Sequence, residues 1–198
     1  MSFVHLHVHS NFSFGDGACR IDELVETAAA TGMTALAVTD HDGLYGAVRF
    51  YQACTKAGIK PIVGVELNVE SVLNAEAKRR PPSADRPAQQ RSHEAHGRGP
   101  AGEHPVRVDR PHQGYDGPLR GQTAAPGWHL VLLAQDYRGW SNLCRIISAA
   151  HLEHPGKPPY ARWQTVVKHS DHLICLSSCR RGELGAAVLA AVRAENEG

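Results

Sequence analysis

The chain of 198 residues lacks the features that would commit it to a membrane or to an oxidising compartment. No apolar run approaches the ~18 residues of a membrane span, so no contact with a bilayer is expected. The first ten residues carry no basic stretch ahead of an apolar one and are interrupted by three histidines, which argues against a secretory signal. Five cysteines, an odd number with no CxxC pair among them, do not make a disulfide frame; they point to free thiols in the reducing cytoplasm. Charge is nearly balanced, 21 basic against 20 acidic side chains, so net charge gives no argument for a polyanionic partner. Aromatic residues make up only 6% of the chain, and Trp128, Trp140 and Trp163 stand apart, which favours anchoring in the core or at the surface over base stacking.

Large aliphatic residues are almost missing from one stretch. Residues 71–127 hold 8 of the 12 prolines, 8 of the 16 arginines and four histidines. Such a composition cannot bury enough apolar surface to offset the entropy of ordering it. It reads as a disordered low-complexity insertion between an N-terminal unit, 1–70, and a C-terminal unit, 128–198. The insertion carries nine basic and six acidic side chains, leaving 12 and 14 elsewhere, so the foldable part is slightly acidic.

The flanks are patterned. Residues 3–9 alternate as a strand does; Ile21, Leu24, Val25 and Ala28 recur at helical spacing up to Gly32; residues 34–39 form a short apolar strand. A helix over 44–57 closed by Gly58 and a buried strand over 61–65 follow. Beyond the insertion come a strand over 129–134, a helix over 140–150, a strand over 172–177 and a helix over 183–194. This alternation predicts an α/β fold built on a parallel sheet or barrel, with ligands gathered at the carboxyl ends of the strands.

Histidine is abundant, 13 residues in all. His5, His7 and His9 share one strand at a spacing of two, which aims them to one face about 6.6 Å apart. Near a strand end two such imidazoles can converge on one metal ion, although histidines facing solvent or a polar pocket give the same pattern. Asp40 and His41 follow the strand ending at Thr39, and Glu66 follows the strand ending at Val65. Asp40 alone could cap a helix. Three strand exits thus supply His7, His9, His41 and Glu66, a nitrogen and oxygen set that suits Zn²⁺, Mn²⁺ or Fe²⁺ better than Ca²⁺. Asp16 is either a further oxygen ligand or part of the turn Gly15-Asp16-Gly17. Cys19, Cys54 and Cys144 read as packing residues, and the irregular spacing of His93, His96, His104 and His112 does not suggest a site.

The segments VHLHVHSNFSFGDGA and ALAVTDHDGLYGAVRFYQACTKAGIKPIVGVEL, then HLVLLAQDYRGWSNLCRIISAAHLEHP and LICLSSCRRGEL, resemble the PHP (polymerase and histidinol phosphatase) domain. The form they resemble is the one at the N-terminus of the bacterial DNA polymerase III alpha subunit or its error-prone relative, and the match covers residues 1–70 and 127–194. The resemblance implies a PHP-type distorted seven-stranded β/α barrel holding two or three divalent metal ions, Zn, Mn or Fe. By position it makes His7 and His9 the opening ligand pair and Asp16 a loop ligand. It makes His41 a ligand with Asp40 beside it, Glu66 a bridging carboxylate, and His129 and Cys179 later ligands. His5 falls where free-standing family enzymes commonly have aspartate.

The implied activity is metal-dependent phosphoester hydrolysis of the 3′–5′ exonuclease type in DNA replication or repair. Glu66, Asp40 and His41 are its catalytic candidates, DNA is reached through the parent polymerase, and other replisome or polymerase subunits are possible partners. No serine, cysteine or lysine stands in a recognisable nucleophile setting, which favours attack by an activated water. Three departures from the family pattern stand out: no Asp-x-His follows the last expected strand, so the barrel is expected to be incomplete at its C-terminus; residues 71–127 replace a shorter connection; and the polymerase active site is absent. A fragment is therefore expected. A non-catalytic structural module of the polymerase, and a free-standing histidinol-phosphatase-like phosphoesterase, are the alternative readings.

Overall fold

A strand buried on both faces must alternate its side chains between two environments, and three strands of this chain do so within a single sheet. The structure is a computed structural model that describes residues 3–71, 127–156, 158–177 and 181–196. In chain order the elements are α1 (Ile21–Ala30), β1 (Ala35–Val38), α2 (Ala47–Ala57), β2 (Lys60–Val69), β3 (Trp128–Ala134), α3 (Tyr137–Leu152), α4 (Trp163–Lys168), β4 (Leu173–Leu176) and α5 (Glu183–Asn196). Residues 72–126, nearly all of the expected insertion, lie outside the described residues, as does Cys179. Among the described residues no helix is long and apolar enough to cross a membrane.

The four strands form one mixed α/β sheet in the order β1-β2-β3-β4. β1 runs parallel to β2, pairing Ala35 with Lys60 through Val38 with Val63. The other two pairings are antiparallel, Gly64–Val69 of β2 against β3 and Leu173–Leu176 against β3. The wholly parallel sheet expected from the sequence is therefore corrected: short apolar runs have the same local pattern whichever way a strand points. Gly64 sits where β2 passes from one partner to the other. A Cβ there would lie 2.6 Å from the carbonyl oxygen of Leu132 and 2.5 Å from Leu133 Cδ2, so only glycine lets β3 approach.

Helices cover the sheet for identifiable reasons. In α1, Ile21, Val25 and Ala28 fall on one buried stripe, and Glu23 accepts a hydrogen bond from the Arg20 backbone N–H at 3.1 Å, satisfying one donor at the helix start. In α2 the buried residues are Ala47, Phe50 and Cys54, and Gly58 closes the helix as expected. These stripes pack with Leu36, Val38 and Ile59 into one core cluster. A second cluster joins Val65, Leu67, Val69 and Leu132 to Leu143, Ile146 and Ala150 of α3 and Val166 of α4. α3 begins at Tyr137, earlier than the expected start at 140, because Asp136 caps it, accepting from Arg138 N at 2.8 Å and Gly139 N at 3.0 Å. The six-residue α4 was not anticipated; it is too short to show helical periodicity.

Two further expectations are corrected. Residues 3–9 do not form a regular strand. They run beside β1, where Ala37 N donates to His5 O at 2.9 Å and Thr39 N to Val8 O at 2.8 Å. These acceptors are three residues apart while the donors are two apart, so a bend at Leu6–His7 breaks the alternation. β2 runs on to Val69 rather than ending at Val65, because its second half gains β3 as a partner where β1 stops.

Candidate metal centre

The site is assembled at the end of the sheet where β1 exits. Thr39, Asp40 and Glu66 are buried polar residues at this point, each 1% exposed or less. Asp40 accepts three hydrogen bonds, from Ser10 N and Ser13 Oγ at Oδ1 and from Ser10 Oγ at Oδ2, each at 2.7 Å. Ser13 Oγ in turn accepts from His41 N at 3.1 Å. Backbone bonds from Asp16 N and Gly17 N to Ser13 O, at 3.0 and 2.8 Å, tighten the turn. Gly17 is required where the loop folds back, since a Cβ would lie 1.9 Å from Ser10 O. Asp40 therefore holds the loop that delivers Asp16, and its contacts give it no direct place among the candidate ligands. It does not cap a helix, because α2 starts only at Ala47.

Glu66 lies on β2, and the bridge to His41 brings the β1 exit alongside it. β3 is antiparallel to β2, so its start brings His129 to the same end, paired with Asn68 and diagonal to Glu66 on one face. Glu66 Oε2 meets His7 Nε2 and, at 2.9 Å, His9 Nε2; these two nitrogens are 3.1 Å apart. Glu66 Oε1 lies against His129 Nδ1. On the other edge of His9, Nδ1 is 2.6 Å from Asp16 Oδ2, which is also 3.1 Å from His41 Nε2. Three overlapping sets result, His7–His9–Glu66, His9–Asp16–His41 and His41–Glu66–His129, the donor atoms of each lying within 4.8 Å of one another. His5 is left out: it is exposed, with its ring edge-on to Phe3 at 4.7 Å between centroids.

The electrostatics favour this donor set. Burial pushes the Glu66 carboxyl up, but its contacts with His129, His7 and His9 outweigh that and hold it well below the usual carboxylate range, so it is ionised. Asp16 is also lowered, because His9 and His41 outweigh its partial burial. His41 is lowered, chiefly by burial, which favours its neutral form. His9 is raised above 6.5, because Glu66 and Asp16 overcome the effect of burial.

A divalent cation fits these residues. His7 Nε2, His9 Nε2 and Glu66 Oε2 face one another, and one proton can satisfy only one of those pairs. Glu66 Oε1 and His129 Nδ1 are buried and close, yet without the alignment of a hydrogen bond. Cations between such atoms would satisfy every lone pair at once, and imidazole with carboxylate is a donor set that Zn²⁺, Mn²⁺ and Fe²⁺ accept.

Of the residues expected from the sequence, His7, His9, Asp16, His41, Glu66 and His129 come together. Cys179 and the histidines at 93, 96, 104 and 112 lie outside the described residues. Cys54 is buried in the core, as a packing residue should be, and burial pushes its thiol up to about 11; Cys19 is exposed. Ser10 and Ser13 were missed as partners of Asp40, and the only local signal was the place of Ser10 directly after the histidine run.

A family model for the PHP domain matches residues 5–197. The chain belongs to the PHP family. Among curated proteins, this PHP domain is 36% identical over 213 residues to an error-prone DNA polymerase from Symbiobacterium thermophilum, and 34% identical over 197 residues to a DNA polymerase III subunit alpha from Treponema pallidum. Each alignment covers 100% of this chain but 15% and 13% of those proteins, so the PHP domain spans only a small part of their length. Among solved structures, a putative metal-dependent phosphoesterase from Bifidobacterium adolescentis overlaps 77% of the chain and 36% of its own, at 18% identity and a TM-score of 0.37. An amidohydrolase from Chromobacterium violaceum overlaps 74% and 34%, at 22% identity and a TM-score of 0.38.

Proposed function

We propose that this PHP domain is the metal-dependent phosphoesterase centre of a DNA polymerase III alpha-type protein, replicative or error-prone, trimming DNA ends as a 3′–5′ exonuclease. The observation that supports this most is the sharing of one buried, ionised carboxylate: Glu66 offers one oxygen to His7 and His9 and the other to His129. Divalent ions, two or three of Zn, Mn or Fe, would screen the charge of a phosphodiester and lower the pKa of an attacking water toward ~7. His7, His9, Asp16, His41, Glu66 and His129 would hold them, with Cys179 as a further ligand. Burial lowers the pKa of His41 and so favours the neutral form that a metal ligand needs. Asp40 fixes the loop from Ser10 to Gly17 and so keeps Asp16 against His9 and His41.

In this reading the four strands belong to a distorted seven-stranded barrel. Residues 71–127 interrupt it between an N-terminal part, 1–70, and a C-terminal part, 128–198. The setting is the cytoplasm, and DNA and the remaining polymerase subunits are the partners.

The test is an oligonucleotide labelled at its 5′ end and incubated with the protein and Mn²⁺ or Zn²⁺. Stepwise shortening from the 3′ end, lost in His9→Ala and Glu66→Ala, is the expected result. Metal retention without shortening would assign the domain a structural role in the polymerase, and cleavage of small monoesters with intact diesters would assign it to phosphatases of the histidinol-phosphate kind; either overturns the exonuclease reading.

A further inference from the structure

We infer that His151, in the last turn of α3, is a positioning residue for this centre, holding the turn that presents His41. The inference rests on the metal-centre reading above. Asp42, directly after His41, has φ +53, a left-handed conformation uncommon outside glycine that aspartate adopts more readily than most residues. Contacts from β2 and α3 fix it here. The Asp42 backbone N–H donates to Glu66 O on β2 at 2.8 Å. Its carboxylate takes longer contacts from Asn68, at 3.4 Å from the backbone nitrogen. Its carbonyl oxygen accepts from His151 Nε2 at 2.7 Å, across 109 residues of sequence.

That last bond belongs to the turn and not to the packing of α3. The buried face of α3 consists of Gly139, Leu143, Ile146 and Ala150, and His151 is exposed. A carbonyl oxygen can only accept, so His151 carries a hydrogen on Nε2, which it does both as a neutral ring and as a cation. The contact is therefore a constraint on the turn. Its effect is to remove freedom from the residue next to a ligand whose Nε2 must meet Asp16, and ligand orientation of this kind is what neighbouring groups outside a coordination sphere set.

Three variants test it by titration of the metal-free protein with Co²⁺, followed through the visible absorption of the bound ion. His151→Ala should weaken Co²⁺ binding about two- to twelvefold, the range of one hydrogen bond, and change the absorption bands. His151→Gln, whose side-chain amide can donate in place of Nε2, should restore both. Added to His41→Ala, His151→Ala should cause no further loss, because the two act as one unit. A His151→Ala variant with wild-type affinity and spectrum overturns the inference. So does equal weakening by Ala and Gln, which would mean a packing role. Wild-type protein that binds no Co²⁺ refutes the metal centre itself, and this inference falls with it.

Discussion

The two faces of the β2–β3 pair are made from neighbouring residues and serve opposite ends. Val65, Leu67 and Val69 point into the core against α3, while Glu66 and Asn68, one residue over, lie on the face of His129, where Glu66 also meets His7, His9 and His41. A period of two thus divides a single strand between stability and chemistry. On one face apolar area removed from water holds the sheet to its helices. On the other a buried carboxylate is kept ionised by imidazoles, an arrangement that serves binding better than stability.

Exchanging the two faces by mutation gives effects of different kinds. The largest is expected at Glu66: Glu66→Gln keeps the shape but removes the charge shared between His7, His9 and His129, and hydrolysis should fall by two orders of magnitude or more with an unchanged circular dichroism spectrum. On the opposite face, Leu67→Ala should cost about 2–5 kcal/mol of stability in urea titration while the folded fraction keeps its metal content. Equal loss of metal in both variants would break the division of labour. Asp40→Asn should combine the two effects more weakly. It turns part of a buried acceptor into a donor facing Ser10 and Ser13, costing about 1–3 kcal/mol and loosening Asp16.

A smaller, graded effect is expected with pH. His9 is raised above 6.5, so in the metal-free protein its contribution to stability is fully present below pH 6.5 and is lost as pH rises through the folded value. Metal needs His9 without its proton, so retention should run the other way, declining as pH falls through that same value and starting above pH 6.5. Elemental analysis after dialysis between about pH 8 and pH 5 checks this. Retention that is flat across this range would separate His9 from the centre.

The sequence pattern was informative where chemistry is local and misleading where it is not. His41 and Glu66 were readable because an apolar run followed by an imidazole or carboxylate is a short-range pattern, and His7 and His9 because of their spacing of two. Glu66 was found although β2 continues past it, because what matters is that the exit of β1 lies beside it at His41. His5 was grouped with its neighbours on the assumption of a regular strand, and the bend at Leu6–His7 removes it. The direction of β3 could not be read, because a run such as Leu130 to Leu133 carries no sign of which way its partner points. Asp40 read as a helix cap or as a catalytic candidate beside His41, and only the fold shows its oxygens taken by Ser10 and Ser13. His151 lies 109 residues from Asp42 in the chain, beyond the reach of any local pattern.

The most direct measurement is the divalent metal content of the purified chain and of its Glu66→Ala variant after identical dialysis. Two to three equivalents in the first, about as many as a two-metal hydrolytic site or its three-ion relatives hold, and almost none in the second is the predicted result. Equal content in both proteins, or none in either, would contradict the shared-carboxylate centre.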